Sequence, residues 1–299
     1  MALPRQVWLL TGGTGQVGLA LRRLSLPGME ILAPGRDVLD LAGPITLEPL
    51  LEGVSAIINC GAYTAVDKAE SEPELAAAIN AGAPFDLAVA AAKAGIPIIH
   101  VSTDYVFPAD GEGPWREDAR TSPASTYGAT KRVGEEAIRS TGARYAIIRT
   151  AWVVSADGHN FIKTMLRLGA ERDHLRVVAD QRGTPTHAGD LAAAIAAVVA
   201  RFTGDPAQQS GLWHCTNAGE TTWHALAEHV FACAARAGLK VPGLVEPITT
   251  AEYPTPARRP ADSRLDCAKI AADFGISLRP WQEAVEAIVA ELAQQENTR

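Results

Sequence analysis

Three glycines near the N-terminus constrain the fold of this chain more than any other feature. Gly12, Gly15 and Gly18 follow a short apolar run at residues 6–10, and apolar residues at helical spacing come after them. In a strand–turn–helix unit the first glycine permits the tight turn, the second lets backbone N–H groups approach a pyrophosphate, and the third lets helix and strand pack closely. The loop therefore predicts a sheet that binds a dinucleotide. The contacts expected from the loop and the first helical turn are Gly12, Gly15, Gln16, Val17 and Gly18.

Apolar strands alternate with helical segments along the first half of the chain. Strands are predicted at residues 30–33, 56–59, 96–101 and 145–149, with a helix over 73–93. The run at 96–101 is mostly apolar, which is typical of a parallel strand covered on both faces. The sequence therefore predicts an α/β fold with a doubly wound, Rossmann-like parallel sheet.

After Thr150 the pattern changes from strands to helices. Helices are predicted near residues 160–171, 188–201, 223–237 and 280–295. We expect an NAD(P)-binding domain over residues 1–150 and a smaller, mostly α-helical substrate lobe over 151–299. The boundary is approximate and leaves room for the two parts to exchange segments.

Charge and cysteine content restrict the classes of function. The net charge is −7, and an acidic chain without a long Lys/Arg run is a poor candidate for binding nucleic acid or an anionic membrane surface. The N-terminal apolar run is too short for a signal peptide or a membrane span. The four cysteines are far apart and form no C-x-x-C pair, so neither a disulfide framework nor a zinc site is expected. Reduced thiols in a cytoplasmic protein are the simplest interpretation.

The end of the second strand usually distinguishes NAD from NADP, because an acidic residue there binds the ribose 2′-hydroxyl and an arginine accepts a 2′-phosphate. Arg36 stands directly after Gly35, which favours NADPH, with NADH as a possible second cofactor. The alternative is a solvated loop arginine. Asp40 and Leu41 are expected near the adenine. A loop of small residues after the third strand suits close approach of the cofactor, at Cys60, Ala62 and Tyr63.

Tyr127 and Lys131 are four residues apart and therefore project from one face of a helix. A neighbouring ammonium favours the phenolate, so it is expected to lower the pKa of the tyrosine. The pair alone is weak evidence, because such spacing is common on helix surfaces. Polar residues that start at Ser102 follow the fourth strand, where open α/β sheets place their chemistry.

A glycine loop, a hydroxyl after the fourth strand and Y-x-x-x-K on the next helix together resemble the extended short-chain dehydrogenase/reductase superfamily. The resemblance implies that Thr103 and Tyr127 both bind the reacting carbonyl oxygen. It also implies that Lys131 binds the nicotinamide ribose and lowers the tyrosine pKa.

Several longer motifs resemble the dTDP-4-dehydrorhamnose reductase family across nearly the whole chain: TGGTGQVG, AYTAVDKAESEPE, HVSTDYVFPADG, YGATKRVGE, RTAWV, NFIKTMLRL, DQRGTPT and YPTPARRPADSRLD. This resemblance implies NAD(P)H-dependent reduction of the 4-keto group of dTDP-4-dehydro-L-rhamnose. The product, dTDP-L-rhamnose, feeds cell-surface polysaccharide. Tyr127 would protonate the alkoxide that forms, while Thr103 positions the same oxygen.

The same resemblance implies a substrate site. Arg259 suits the diphosphate, because guanidinium forms bidentate bonds to phosphate. Trp152 is expected to stack on a base or sugar, the alternative being plain core packing. The expected substrate contacts are Thr103, Asp104, Tyr105, Tyr127, Trp152, Asn160, Gln181 and Arg259, with Asp104 also assigned to the catalytic group.

Two departures from the family pattern affect the expected binding sites. Asp262 stands where an asparagine is usual, and it suits a diphosphate site only if it pairs with Arg259 or Arg264. Some members form a dimer joined by a magnesium ion bound to glutamates. The first of these glutamates falls where this chain has Ala20, whereas Asp190 and Glu291 are plausible ligands at the other positions. Because a hard cation needs several oxygen ligands, we expect no metal and a monomer or weak homodimer. His224 and His229 are interpreted as helix-surface residues rather than a metal pair.

Three other classes share the scaffold. A 4,6-dehydratase needs an Asp-Glu pair after the threonine, whereas this chain has Asp104 and Tyr105. A 4-epimerase retains its NAD and lacks the motifs of the second half. The regulatory subunit of methionine adenosyltransferase resembles the family, yet a purely regulatory chain has no need of the Thr/Tyr/Lys set. Sister reductases that make other 6-deoxyhexoses stay open.

Overall fold

A parallel sheet of six strands organises the computed structural model, which describes residues 6–297, with side chains for residues 6–295. The strands are β1 (Gln6–Thr11), β2 (Met29–Leu32), β3 (Val54–Asn59), β4 (Ile98–Thr103), β5 (Tyr145–Thr150), β6 (Val153–Val154), β7 (His174–Val178), β8 (Arg182–Gly183), β9 (Thr186–His187), β10 (Gly211–His214), β11 (Thr221–Thr222) and β12 (Leu244–Ile248). The α-helices are α1 (Gln16–Arg23), α2 (Val66–Ala69), α3 (Pro73–Ala77), α4 (Ala83–Ala94), α5 (Thr126–Ser140), α6 (Phe161–Glu171), α7 (Ala188–Gly204), α8 (Trp223–Arg236), α9 (Ala268–Phe274) and α10 (Trp281–Asn297).

The strand order in the large sheet is β2-β1-β3-β4-β5-β10, and every neighbouring pair is parallel. The direction of strand addition reverses between β1 and β3, which creates a crevice at their carboxyl ends. This arrangement confirms the predicted doubly wound, Rossmann-like α/β fold. It also brings the loops after β1, β3, β4 and β5 to one edge of the sheet.

Both faces of the sheet are covered, which explains why its strands are apolar without alternation. Leu10 and Ile58 face a layer that contains α1 and α7, while Leu9 and Ile57 face a layer that contains α4 and α5. All four side chains are fully buried. Burial on both faces is the arrangement expected of parallel strands joined by crossover helices.

Part of the second half of the chain belongs to the large sheet. Strand β10 pairs with β5 at the sheet edge, and α7 packs against α1. A separate core contains α6, α8 and α10 together with β7. The domain boundary near residue 150 stays a prediction, and these segments are where the two halves exchange structure.

The predicted helix over 73–93 is present but interrupted. Helices α3 and α4 are joined by a π-helical turn, Ala78–Gly82. Within residues 6–297, the joined stretch Pro73–Ala94 is the one helix long and apolar enough to cross a membrane, judged by length and composition only. Its Leu87 and Ala88 are buried in the core beside the sheet, so the stretch is weak evidence for a membrane span.

All four cysteines carry free thiols, as predicted.

Candidate active site

The glycine loop forms a cradle in which close backbone packing leaves no room for a side chain at Gly12 or Gly18. Gly12 has φ 70°, and a Cβ built there would lie 2.5 Å from the backbone nitrogen of Gly61. A Cβ on Gly18 would lie 2.1 Å from the Gly12 carbonyl oxygen. Gly15 is the N-cap of α1 and offers no side chain, so the first N–H groups of this helix stay available to an anion. Val17 is buried behind the loop.

Gln16 uses its side chain to join the two halves of the molecule. Its amide donates to the Val153 carbonyl at 3.3 Å and accepts hydrogen bonds from Ser155 at 2.8 Å and from Asn160 at 3.0 Å. Asn160 is also the N-cap of α6, because its oxygen accepts from the Lys163 N–H at 3.3 Å. Both amides thus have structural partners, and their roles toward cofactor and substrate stay predictions.

The residues predicted near the adenosine lie along the segment after β2. Arg36 and Asp40 are exposed there, and Asp40 accepts a hydrogen bond from the Ala42 N–H at 3.0 Å. Leu41 packs over the loop after β3, where its Cδ1 lies 2.3 Å from the position of a Cβ on Gly61. The structure therefore places Leu41 beside the glycine cradle and leaves Arg36 free to face solvent.

The loop after β3 is held by a residue that sequence reasoning missed. Asn80, fully buried on the π-helical turn, accepts from the Tyr63 N–H at 2.8 Å and donates to the Tyr63 carbonyl at 3.2 Å. It also donates to Thr130 on α5 at 3.1 Å. The Tyr63 hydroxyl donates to Glu72 at 2.6 Å, and Ala62 beside it is half-buried. A buried asparagine in an alanine-rich helix was the available signal, because such a group needs hydrogen-bond partners.

Thr103, Asp104 and Tyr127 meet at the carboxyl end of β4. The Thr103 hydroxyl donates to Asp104 Oδ1 at 2.9 Å and accepts from the Tyr105 N–H at 3.2 Å. The ring of Tyr127 packs edge-on against that of Tyr105, with centroids 5.5 Å apart. Close approach of α5 depends on Gly128, where a Cβ would lie 2.2 Å from the Tyr105 carbonyl oxygen. The structure thus brings the predicted hydroxyl and phenol together.

Burial controls the protonation of both acids at this point. It raises the pKa of Tyr127 to about 12, although a hydrogen bond with the Thr103 side chain acts in the opposite direction. It raises the pKa of Asp104 to about 6, against hydrogen bonds from Ser263 and Thr103. Asp104 Oδ2 has no hydrogen-bond partner among the described residues. The predicted lowering of the tyrosine pKa by Lys131 is therefore wrong for this structure.

Lys131 is fully buried, and its Nζ has two protein partners. It donates to the Val101 carbonyl at 2.7 Å and lies 3.1 Å from His100 Nε2. Burial lowers the pKa of Lys131 to about 8. Sequence reasoning missed His100 because it sits inside an apolar strand, where a lone histidine gives no pattern. Cys60 lies close enough to this lysine for the charge to affect its thiol, but burial raises the thiol pKa to about 12.

A buried ion pair connects strand β5 to helix α5, which carries Tyr127 and Lys131. Arg149 on β5 forms a bidentate pair with Glu135 on α5, at 2.8 and 2.6 Å. Ser102, next to Thr103 on β4, donates to Glu135 at 2.6 Å. These contacts tie β4, β5 and α5 together one helical turn beyond Lys131, which fixes the helix that carries the tyrosine.

Trp152 is held in an unusual backbone conformation by its neighbours. It has φ 48°, which is uncommon for a residue with a side chain. Its indole stacks on Trp223, and a Cβ on Gly183 would lie 2.4 Å from the same ring. Gln181 accepts from the Trp223 indole N–H at 3.1 Å. Both predicted substrate contacts, Trp152 and Gln181, therefore lie at one aromatic cluster.

Arg259 already has an acidic partner that sequence reasoning missed. Its guanidinium bonds Asp67 on α2 at 3.0 and 2.6 Å, and a quarter of its side chain is exposed. The charge of Arg259 lies close enough to Tyr105 to lower the pKa of its hydroxyl, although burial raises that pKa overall. Asp262 pairs with Arg264 at 2.6 Å. Arg264 is one of the two arginines whose pairing would make this carboxylate compatible with a nearby diphosphate.

The two acidic residues that the resemblance made plausible as magnesium ligands contact other protein groups, and Gln295 donates to Glu291 at 3.3 Å. Asp190 accepts from Asn217 and Arg279, each at 2.8 Å. Burial raises the pKa of Asp190, but hydrogen bonds with His187, Arg279 and Asn217 outweigh it and hold the pKa well below the usual range. Among the described residues, one other group could hold a metal by geometry: His229, Cys233 and Glu286. Arg236 donates to two members of this group, which places a cation there already. His224 is partly buried and contacts the Val245 carbonyl at 3.0 Å.

A phenol and a hydroxyl poised to share one oxygen, beside a cradle shaped for a dinucleotide phosphate, define an oxidoreductase of the extended short-chain dehydrogenase/reductase class. A family model described as the RmlD substrate binding domain matches residues 6–294. The chain belongs to this family.

Curated relatives carry two descriptions. A dTDP-4-dehydrorhamnose reductase from Sinorhizobium fredii is 44% identical over 284 residues, which cover 94% of this chain and 95% of that relative. A protein from Streptomyces antibioticus described as a probable dTDP-4,6-dihydroxy-2-methyloxan-3-one 4-ketoreductase is 41% identical, over 93% of this chain and 92% of that relative.

Solved structures show the same fold over the full length. A dTDP-4-dehydrorhamnose reductase ortholog from Clostridium acetobutylicum superposes with a TM-score of 0.88 at 36% identity, covering 96% of this chain and 99% of the other. A dTDP-4-dehydrorhamnose reductase from Bacillus anthracis, solved in complex with NADP, has a TM-score of 0.86 at 32% identity, with the same coverage.

Proposed function

We propose that this protein reduces the 4-keto group of dTDP-4-dehydro-β-L-rhamnose with NADPH, which yields dTDP-L-rhamnose for cell-surface polysaccharide. The observation that carries the proposal is the meeting of Thr103 with Tyr127 at the carboxyl end of β4. Family membership and relatives of the same description support it. The enzyme is an oxidoreductase, and its substrate is a nucleotide sugar.

The glycine cradle fits a dinucleotide. Gly12 permits close packing on Gly61, Gly18 permits close packing on Gly12, and Gly15 leaves the first N–H groups of α1 without a side-chain cap, so that they can bind a pyrophosphate. NADPH, when bound, supplies the hydride. Arg36 is exposed beyond the end of β2, where a guanidinium can bind a 2′-phosphate. The relative solved with NADP supports this choice, and NADH stays a second cofactor for the same cradle.

Tyr127 suits the role of proton donor. A tyrosine whose pKa is about 12 carries its proton at neutral pH, so Tyr127 enters the reaction as a proton donor. The oxygen of the sugar gains negative charge as the ketone is reduced, and the phenol then gives its proton to this oxygen. Thr103 holds the same oxygen in place through its hydroxyl.

The remaining predicted residues would orient the nucleotide sugar. The half-buried Trp152 and Gln181 would contact the nucleotide sugar from one aromatic cluster. Arg259 is partly exposed, so its guanidinium can bind a diphosphate oxygen while Asp67 keeps it oriented. Tyr105 packs against the catalytic tyrosine and lies near the arginine.

The test is NADPH oxidation in the presence of freshly prepared dTDP-4-keto sugar, followed by NMR identification of the product. We expect turnover that falls by about two to four orders of magnitude in Tyr127→Phe, since the variant lacks the proton donor. Turnover unchanged in that variant would refute the mechanism, and absence of turnover by the unaltered protein would refute the function.

A related activity has a specific observation in its favour. The relative described as a probable 4-ketoreductase of another dTDP sugar is nearly as similar as the rhamnose enzymes. The stereochemistry of the NMR product separates the two. A non-catalytic regulatory subunit would show NADPH binding with no turnover. We further propose a cytoplasmic monomer or weak homodimer without nucleic acid or membrane partners.

A further inference from the structure

A histidine that takes no part in the proposed chemistry lies against the active-site lysine. His100 and Lys131 are both fully buried, and His100 Nε2 lies 3.1 Å from Lys131 Nζ. The other ring nitrogen, Nδ1, lies 3.0 Å from Nδ2 of Asn59. Burial and the lysine charge hold the pKa of His100 well below its usual range, so the ring is neutral and carries one proton. The ring nitrogen that carries this proton determines whether His100 donates a hydrogen bond to Lys131 Nζ or accepts one from it.

The orientation of the Asn59 amide follows from a backbone contact. Asn59 Oδ1 lies 3.1 Å from the Gly61 nitrogen, whose N–H can only donate. Thr11 also donates to this oxygen, at 2.6 Å. Two donors on one side identify that atom as the carbonyl oxygen, so the NH₂ group of Asn59 faces His100.

The tautomer of the ring follows from the amide. Because Asn59 Nδ2 donates, His100 Nδ1 accepts, and the single proton of the neutral ring then lies on Nε2. This N–H points at Lys131 Nζ. An amine nitrogen can accept that hydrogen bond through its lone pair, while an ammonium cannot. The Val101 carbonyl takes one proton of the lysine in either form.

We propose that His100 is a positioning residue for Lys131: Asn59 holds the ring in the Nε2–H tautomer, and this N–H favours the uncharged amine of the lysine. Lys131 then changes charge at a lower pH than a lysine exposed to solvent. Thr11, Asn59, His100 and Lys131 are connected in series by these contacts and lie on β1, β3, β4 and α5 respectively. Residues on three strands therefore determine the charge of one lysine.

Two other titratable groups face Lys131. Glu135, one turn further along α5, favours the ammonium, but its carboxylate is paired with Arg149. Cys60 would favour the ammonium as a thiolate, yet burial keeps this thiol protonated near neutral pH. The lowered pKa of Lys131 agrees with the tautomer inferred from the hydrogen bonds.

The tautomer can be measured directly by ¹⁵N NMR of the full-length protein with labelled histidine. His214 is a built-in comparison: it is also fully buried, but its Nδ1 faces the Trp115 carbonyl at 3.0 Å, which favours a proton on Nδ1. We expect opposite tautomers for the two rings between about pH 7 and about pH 9. His100→Gln and His214→Gln assign the two sets of signals. A proton on Nδ1 of His100 in this range would overturn the proposal.

The charge of Lys131 can be followed by NMR of ε-¹³C-labelled lysine. In His100→Gln an amide oxygen can accept from the ammonium, so the pKa of Lys131 should rise by about one unit or more. His214→Gln should leave it unchanged. An unchanged lysine titration in His100→Gln would overturn the proposal. If that variant does not fold, His100→Asn offers the same amide on a shorter side chain, and the tautomer measurement needs only the unaltered ring.

The kinetic consequence rests on the proposed function. In His100→Gln the pH profile of kcat/KM should move with the lysine titration, and kcat at a pH between the two lysine pKa values should change by up to about 10-fold, because a shift of one pKa unit changes the uncharged fraction of Lys131 by about that factor. A profile that stays in place while the lysine titration moves would overturn the catalytic part of the proposal. The two NMR measurements need no turnover, so failure of the proposed function and failure of this inference give different results.

Discussion

Trp152 stacks on Trp223 with ring centroids 3.5 Å apart and planes 10° from parallel. Trp152 follows strand β5, and Trp223 is the first residue of helix α8. The stack on Trp223 and the close approach of Gly183 hold the Trp152 indole in place. Substrate affinity should therefore depend on a residue that need not touch the substrate.

Trp223→Leu is expected to raise KM for the dTDP sugar about 3- to 10-fold with a smaller effect on kcat, because a stacked aromatic pair contributes about 0.5–1.5 kcal/mol. Steady-state kinetics with saturating NADPH measure this change. Trp223→Phe keeps a ring in the stack and is the matched control. Equal KM values for the two variants would contradict a role for stacking.

Asp104→Asn is expected to stabilise the protein at neutral pH but not in acid. Burial raises the pKa of Asp104 from 3.8 to about 6, so ionisation costs the folded state up to about 3 kcal/mol. The contribution of protonated Asp104 to stability is fully present below the unfolded pKa of 3.8 and is lost as pH rises through about 6. Asparagine keeps the acceptor for Thr103 and cannot ionise. Urea unfolding of both proteins near pH 4 and near pH 8 measures the difference. A difference that is the same at both pH values would contradict the buried, ionisable state of Asp104.

Gly18→Ala is expected to weaken NADPH binding by at least about tenfold. The new Cβ would lie 2.1 Å from the Gly12 carbonyl oxygen, so the loop or the helix must shift away from the phosphate position. Titration of nicotinamide fluorescence measures Kd without substrate. Gly43→Ala is the control, because a Cβ there meets no atom within 4 Å. Similar affinity in both variants would show that the cradle does not bind the cofactor.

Arg36→Ala is expected to raise KM for NADPH about 10-fold and to leave KM for NADH nearly unchanged, since only NADPH carries the 2′-phosphate. The ratio of kcat/KM for the two cofactors is the measurement. Arg36→Lys keeps the charge and should lose less. A cofactor preference that does not move in Arg36→Ala would exclude this arginine as the 2′-phosphate ligand.

Arg259→Lys is expected to raise KM for the nucleotide sugar about 10-fold, because an ammonium cannot bind Asp67 and a phosphate in the planar, bidentate manner of a guanidinium. The neighbouring Arg258 is exposed and pairs only loosely with Asp110 at 3.7 Å, so Arg258→Lys is the matched control. An increase in KM of the same size for both substitutions would point to net charge instead of a specific contact.

Spacing within short segments determined much of this protein in advance. Three glycines at intervals of three residues specify the turn and the cradle, because those positions depend on local backbone geometry. Tyr127 and Lys131 share a helical face for the same reason. Thr103 was predictable because the carboxyl ends of parallel strands meet at one edge of the sheet.

Contacts between distant segments could be decided only by the tertiary structure. Gln16 meets Asn160 across 144 residues, and Asp67 meets Arg259 across 192 residues. The strength of an acid depends on how much water and which charges surround it, and these follow from packing. The Tyr127 pKa was therefore predicted in the wrong direction from a lysine four residues away. Burial raises it, while His100 and Val101 contact the lysine instead.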